Sequence, residues 1–309
     1  MKILHGLKRN DQSRFDPQPG GLVDLLPHLE AHFIRLGIQI LQLVGDVDPE
    51  VSIRNVLNIE APIPPKAIAF RSLSEARESL ERLAYGYMQG PAFNEYYRDV
   101  FVGRLQHWTT AFNEFLDARG DVFAIAHKRA IALLQLQHVH FQQSLDMIIG
   151  AQGDIMRWDS ECSRYEEMVK YAAAAVGLNE DTGELPPVQP SFYLDIGVSN
   201  VLFSCIARCR DPVIRRKAIR VLRSATMQEG VWNTALTAQV AERLTEFEEE
   251  GLGDVRTSAD IPVSSRLAGV AVFFDPHSKR ANICYLRRNL SDSYEEPDLS
   301  DSFQEVLVW

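Results

Sequence analysis

The sequence has few cysteines and no long hydrophobic run. Four cysteines in 309 residues are too few for a disulfide framework, so we expect a reduced, intracellular protein of the cytoplasm or nucleus. No apolar stretch approaches the ~18 residues that a membrane helix needs. We therefore predict no membrane partner.

Basic side chains are outnumbered by acidic ones. The chain has 32 lysines and arginines against 42 aspartates and glutamates, for a net charge of −10. Binding to the nucleic-acid backbone depends on basic side chains that neutralise phosphates, so this balance predicts no direct nucleic-acid partner. Hydrophobic residues make up 46% of the chain, which predicts a large buried core rather than intrinsic disorder.

Motifs for nucleotides and for nucleophilic catalysis are also missing from the sequence. No glycine-rich phosphate loop follows a predicted strand. The run Gly197-Val198-Ser199-Asn200 does not have the final glycine of a Gly-x-Ser-x-Gly nucleophile elbow. We therefore predict no cofactor, and no motif indicates a reaction class.

Apolar residues recur at spacings of three and four through most of the chain, which is the pattern of amphipathic helices. This pattern predicts a mainly α fold, a multi-helix bundle of long antiparallel helices. The predicted helices are Gly21–Val44, Ser74–Gln89, Ala92–Ala118, Asp121–Ile149, Ile155–Val176, Phe192–Arg208, Pro212–Ser224 and Asn233–Glu250.

The C-terminal part has a different pattern. Two β-rich segments, Ala268–Phe274 and Ala281–Leu286, flank a polar turn, which predicts a small C-terminal β-hairpin. We expect residues 1–20 to be an N-terminal lead-in, 21–288 a helical domain with a seam at 179–190, and 289–309 an acidic polar tail. Val306–Trp309 is apolar enough to dock on the domain.

Candidate site residues lie on the predicted central helices. His138 and His140 are two residues apart, about 200° around a helix axis, so they do not both face one metal ion, and we predict no metal site there. His107 and Trp108 are candidate ligand-binding residues, with Trp108 as a flat apolar wall. His138, His140 and Tyr193 are candidate hydrogen-bond donors to a substrate carbonyl. The alternative for each is an ordinary packing or surface residue.

The cysteines give a further possible metal motif. Cys205 and Cys209 are four residues apart and share a helix face, whereas Cys162 and Cys284 are isolated in the sequence. A closed zinc site needs four ligands, so we predict small buried thiols instead.

One stretch, Arg208–Arg223, is strongly basic. It is able to bind an anion or to act as a nuclear localisation signal. Apolar residues interleave with the basic ones, however, so the alternative is an amphipathic helix whose arginines pair with carboxylates on neighbouring helices. We expect the second role to come first.

This stretch also carries a family resemblance. Asp211 is a suitable N-cap and Pro212 suits the first turn of the helix that follows. The resemblance is carried by three segments: the run Cys209-Arg210-Asp211-Pro212-Val213-Ile214-Arg215-Arg216-Lys217-Ala218-Ile219, its continuation Val221-Leu222-Arg223, and the downstream motif Glu229-Gly230-Val231-Trp232. Together they resemble a block in the C-terminal regulatory part of fungal zinc-binuclear-cluster transcription factors. Three further segments, Leu29–Gln39, Gly197–Arg208 and Ile261–Arg266, are similar to the same regulatory part in order and spacing.

The sequence departs from this family in its cysteines. The zinc cluster of these factors needs six closely spaced cysteines, which this sequence does not contain, and its first cysteine is Cys162. Gly37 and Asn233 stand where acidic residues are expected. The resemblance therefore implies a relative of the regulatory part, and we expect this chain by itself to bind neither zinc nor specific DNA.

The resemblance implies two functions. The first is a non-DNA-binding, transcription-factor-like regulator of fungal secondary metabolism that binds a hydrophobic small molecule or a full-length regulator, with a homodimer as a further possibility. The alternative is a repurposed cofactor-free cyclase or pericyclase. Such an enzyme would isomerise a terpenoid or polyketide by shape and hydrogen bonding.

Overall fold

The structure is a computed structural model that describes twelve segments of the chain. They are residues 32–38, 69–88, 95–119, 123, 125–147, 155–178, 191–193, 197–225, 227–230, 232–275, 280–287 and 303–308. The chain forms two compact units, Met1–Phe112 and Asn113–Trp309.

The first unit contains α1 (residues 32–38), α2 (Leu73–Met88) and most of α3 (Glu95–Asp117). The hydroxyl of Ser72 accepts the N–H of Glu75 at 3.2 Å and so begins α2, one residue before the predicted start. A buried ion pair joins α1 to α2, because Nε of Arg35 donates to both carboxylate oxygens of Glu81 at 3.0 and 2.9 Å. The predicted helix Gly21–Val44 lies outside the described residues, apart from the seven of α1.

The second unit is a helical bundle with two small sheets. Its helices are α4 (Ile125–Asp146), α5 (Cys162–Val176), α6 (Ser199–Arg208), α7 (Pro212–Ser224) and α8 (Thr234–Glu249), and a 3₁₀ helix, Ile155–Glu161, precedes α5. The main core lies where these helices meet and includes fully buried Tyr165, Met168, Leu202, Ile206 and Leu222. The predicted mainly α fold is confirmed.

The predicted N-cap Asp211 and the glycine Gly177 fix the ends of two helices. The Asp211 carboxylate accepts the N–H groups of Val213 and Ile214 at 2.9 and 3.0 Å, and Pro212 is the first residue of α7. Gly177 has a φ of 78° and ends α5 in the left-handed conformation. Local chemistry therefore determines these helix ends.

The first sheet combines β1 (Ser191–Tyr193), β2 (Met227–Glu229) and β3 (Trp232–Asn233). β1 is parallel to β2, which is antiparallel to β3. The predicted helix Phe192–Arg208 is wrong over its first part, since β1 occupies residues 191–193 and α6 begins at Ser199. The backbone of β1 pairs with a strand more than thirty residues later, and local periodicity does not report that partner.

The second sheet has the order β4-β5-β6, all antiparallel: β4 (Leu267–Asp275), β5 (Arg280–Arg287) and β6 (Phe303–Val308). The predicted hairpin is confirmed as β4 and β5. β6 is a third strand in a region whose polar composition predicts a loose tail. Phe247 of α8 packs on Tyr285 and Phe303 with ring centroids 4.8 Å apart in each case, and so joins the sheet to the bundle.

Some predictions fall outside the described residues. The seam at 179–190 and residues 289–302 of the predicted tail are among them. In the part of the chain that the structure describes, no helix is long and apolar enough to cross a membrane.

Glu229 of β2 caps α6 from thirty residues away. Its carboxylate accepts the N–H of Val198 at 3.0 Å and the N–H of Ser199 at 2.8 Å. Burial raises the pKa of Glu229, and these hydrogen bonds oppose that rise. Gly197 lies against the same carboxylate, because a Cβ at this position would be 1.9 Å from Glu229 Oε1. Two segments that resemble the regulatory family thus form one structural contact.

We expect Gly197→Ala to lower the free energy of unfolding by about 1–3 kcal/mol, because the added methyl group displaces the Glu229 carboxylate. Glu229→Ala should cost about 1–2 kcal/mol through the lost cap. The double variant should cost clearly less than the two added together, since the clash requires both side chains. Urea unfolding of the four proteins measures this coupling.

Gly103→Ala is the matched control, because a Cβ there meets nothing within 4 Å and the residue lies within α3. It should not destabilise the protein. Fully additive costs for Gly197→Ala and Glu229→Ala would contradict the proposed contact.

Candidate functional site

A buried charge cluster lies behind α7 and consists of Arg210, Arg215 and Glu248. Nη2 of Arg210 donates to Glu248 Oε1 at 3.0 Å, and Nη2 of Arg215 donates to Glu248 Oε2. The side chains of Arg215 and Glu248 are fully buried, and that of Arg210 is 2% exposed. Glu248 Oε1 also accepts the N–H of Leu267 at 2.7 Å. One carboxylate therefore joins α7, α8 and β4.

Some further donors of the two arginines bind backbone carbonyls, whereas Arg210 Nε and Arg215 Nη1 are buried without a hydrogen-bond partner in the described segments. Arg210 donates to the carbonyl oxygen of Arg208 at 2.7 Å, and Arg215 donates to that of Ile206 at 3.0 Å. Burial lowers the pKa of Arg210, and the neighbouring Glu248 opposes that shift. The C-terminal end of α6 is thus held by the same charge cluster.

The fully buried side chain of Arg266 makes a further ion pair with Asp159. Its two terminal nitrogens donate to both oxygens of Asp159 at 2.8 and 2.7 Å, and its Nε donates to the carbonyl of Ile261 at 2.9 Å. The segment Ile261–Arg266 is therefore fixed to the 3₁₀ helix. This contact gives a structural role to another segment of the family resemblance.

The outer face of α7 is partly paired as well. Arg216 donates to Glu249 at 2.8 Å, Arg223 donates to Glu242, and Lys217 lies 3.6 Å from Glu166. The predicted pairing of this basic stretch with carboxylates on neighbouring helices is confirmed. Arg220 is exposed, and within the described segments no carboxylate forms an ion pair with it.

The two candidate histidines of α4 have different neighbours. Burial lowers the pKa of His140 to about 4, and the positive charge of Arg208 contributes to the shift. Burial also lowers the pKa of His138, and the charge of Glu167 opposes this. His140 is therefore neutral at pH 7, able to donate one hydrogen bond and to accept another.

Arg208, whose charge acts on His140, has one aromatic and one polar neighbour. The guanidinium of Arg208 lies 5.0 Å from the ring of Trp158 and donates to Ser204 Oγ. Tyr165 is fully buried, which raises the pKa of its hydroxyl. A neutral imidazole beside a guanidinium could bind a carbonyl or a carboxylate, so His140 stays a predicted site residue.

The structure places the other candidate residues in different settings. Trp108 is 1% exposed, donates from Nε1 to the carbonyl of Ala76 at 2.9 Å, and packs between Phe70 and Phe112. His107 is exposed, in the same unit. Tyr193 lies on β1 with its backbone opposite Glu229, and its side chain is outside the described atoms. The roles of all three in ligand binding stay predictions.

Cys162, which is distant from Cys205 and Cys209 in the sequence, lies in the same region of the fold. Cys162, at the start of α5, packs against the core cluster that contains Cys205 and Cys209. Burial raises the pKa of Cys209 to about 12 and raises that of Cys205 well above its usual value. These thiols are protonated at pH 7, as the prediction of small buried thiols requires. Within the described segments, no three metal-ligating side chains are placed to hold an ion.

A groove of about 660 Å³ separates α5 from α7, and sequence patterns did not indicate it. It has an apolar floor and a charged rim and is lined by Ser163, Glu166, Glu167, Val169, Lys170, Ala173, Leu178, Lys217, Arg220 and Val221. Its volume falls in the range of ligand-binding clefts. The groove is open to solvent, and two cations on its rim make no ion pair with a described carboxylate. It is therefore the candidate functional site.

Comparison with known proteins gives one informative similarity. The chain is 30% identical over 103 residues to the aspercryptin biosynthesis cluster-specific transcription regulator of Emericella nidulans. The match covers 32% of this chain and 17% of that regulator. No protein-family model matches the chain, and no solved structure matches it. The similarity supports a relationship to transcription regulators.

We expect Arg215→Ala to lower the free energy of unfolding by about 3–5 kcal/mol, because it leaves the buried Glu248 with one arginine fewer. Arg216→Ala should cost about 0.5 kcal/mol or less, since the side chain of Arg216 is 55% exposed. Thermal and urea unfolding of both variants measures the difference. Equal losses for the two variants would contradict the assignment of the charge cluster.

The pKa of His140 predicts acid sensitivity. Below pH 6.5 an unfolded chain protonates this histidine, whereas the folded chain keeps it neutral down to a pKa of about 4. The free energy of unfolding should therefore fall between pH 6.5 and pH 4, and His140→Gln should reduce that fall. Urea unfolding at pH 7 and pH 5 tests this. His107→Gln, at an exposed position, is the control for the substitution itself and should leave the free energy of unfolding at pH 7 unchanged.

Proposed function

We propose that this chain is a transcription-factor-like regulatory protein of fungal secondary metabolism, acting in the nucleus or cytoplasm. Its activity is the binding of a hydrophobic small molecule or of a full-length regulator. The observation that carries the proposal is the similarity to a regulator that is specific for a biosynthetic gene cluster.

The buried contacts of the resembling block support this proposal indirectly. Arg210, Arg215 and Glu229 are engaged in the interior of the fold. Their presence in this chain is explained by a shared architecture, and it needs neither DNA nor a substrate. Regulation then depends on the outward surface of α5 and α7.

The groove between these helices supports ligand or partner binding. Its floor includes Val169 and Val221 from the two helices, and its rim carries charges of both signs. A concave surface that combines apolar and charged side chains offers a ligand both hydrophobic contacts and orienting polar contacts.

Deletion of the gene tests the proposed function. We expect altered transcript levels for a neighbouring set of biosynthetic genes, and recovery when the wild-type gene is returned. Arg215→Ala, the destabilised variant, is the control for protein stability and should restore them less completely than the wild-type gene. Unchanged transcripts with an altered ratio of metabolite isomers would contradict the regulator and favour the cyclase instead.

A further inference from the structure

The acidic side chains on the rim of the groove already have internal partners. Glu166 lies 3.6 Å from Nζ of Lys217 across the groove. Burial raises the pKa of the Tyr171 hydroxyl and the charge of Glu167 adds to that rise, and the same charge opposes the lowering of the pKa of His138 by burial. Of the two acids, Glu166 is therefore the one whose charge is paired across the groove.

Two basic side chains of the groove, Lys170 and Arg220, differ from Glu166 in their ion pairing. Lys170 lies on α5, Arg220 lies on α7, and both side chains are exposed. Within the described segments, neither forms an ion pair with a carboxylate. Each wall of the groove thus presents one exposed cation that forms no ion pair with a described carboxylate.

The floor between these cations is apolar and firmly held. Val169, Ala173 and Val221 are at most 5% exposed and belong to the main core. Leu178 continues the floor beyond the end of α5, because its N–H donates to the carbonyl of Ala173 at 2.9 Å in a Schellman turn at Gly177. The groove therefore does not need to be ordered by its ligand.

We propose that this groove binds a long-chain carboxylic acid, with the apolar chain along the floor and the carboxylate between Lys170 and Arg220. The guanidinium matches a carboxylate with two parallel hydrogen bonds, and the ammonium adds a point charge. The volume of about 660 Å³ accommodates a ligand of this size. This inference rests on the proposed function, since it names the ligand class of the same site.

The experiment titrates the purified full chain with cis-parinaric acid, a fluorescent long-chain carboxylic acid, and with its methyl ester. We expect saturable binding of the acid at one site and at least tenfold weaker binding of the ester, because the ester carries no charge. The affinity for the acid should fall as salt is added.

Variants locate the site. Lys170→Ala and Arg220→Ala together should weaken acid binding at least tenfold without changing the melting temperature, since both side chains are exposed. Lys128→Ala and Arg256→Ala remove the same types of exposed charge outside the groove and should leave binding unchanged. Equal binding of acid and ester, no saturable binding, or unchanged binding by the double variant would overturn the proposal.

Two further outcomes separate this proposal from the function proposed above. If the chain binds no acid but its deletion alters transcripts, the groove proposal is overturned and the regulator stands. If acid binding is confirmed but deletion leaves transcripts unchanged, the regulator is overturned and the groove stands. A concentration-dependent dimer that the double variant abolishes, without acid binding, would assign the groove to a second copy of the chain.

Discussion

The buried carboxylate of Glu248 is the interaction on which the second unit depends. It accepts hydrogen bonds from two arginines and from the backbone of β4, and no part of it is exposed to solvent. A charge in this position is costly unless its partners are in place, because the interior does not solvate it. The C-terminal end of α6, the first turns of α7, α8 and the start of the second sheet must therefore assemble together. Two positive charges around one negative charge also need the backbone carbonyls of Ile206 and Arg208, which ties the loop before α7 into the same arrangement.

This arrangement indicates that the residues of the family resemblance have a structural role. Several residues of the resembling block bind other residues in the interior of the protein, as Arg210, Arg215 and Glu229 illustrate. Such a block can persist in proteins whose ligands differ, because its role is to hold helices and not to contact a ligand. The side chains that contact a ligand are therefore expected at positions that face outward and have no internal partner. Lys170 and Arg220 meet that condition within the described segments.

A structural feature was predictable from the sequence when the residues that determine it lie next to it in the chain. The bounds of α7 were predictable because Asp211 and Pro212 are adjacent to the helix that they begin, and Gly177 ends α5 for a similar reason. The acid partners were not predictable by position, since Glu248 lies more than thirty residues from the two arginines that it binds and Glu229 lies thirty residues or more from the N–H groups that it caps. β1 and β6 were not predictable for the same reason, because each strand is stabilised by pairing with a strand that lies elsewhere in the sequence. The groove belongs to this second class as well: its two walls are separate helices, and periodicity describes each of them alone.

The two faces of α7 connect the interior to the groove. Arg215 and Arg220 are five residues apart, which places them about 140° apart around the helix axis. One therefore points to Glu248 and the other points to solvent on the rim. Because the inner face is held by buried charges, α7 has little freedom to rotate or slide, and the position of Arg220 relative to α5 is set before any ligand arrives. A site with fixed walls loses less conformational entropy on binding than one that must order itself. The same constraint means that a ligand has only a small effect on the backbone of α7, so any regulatory output must arise from the surface that the ligand covers or completes.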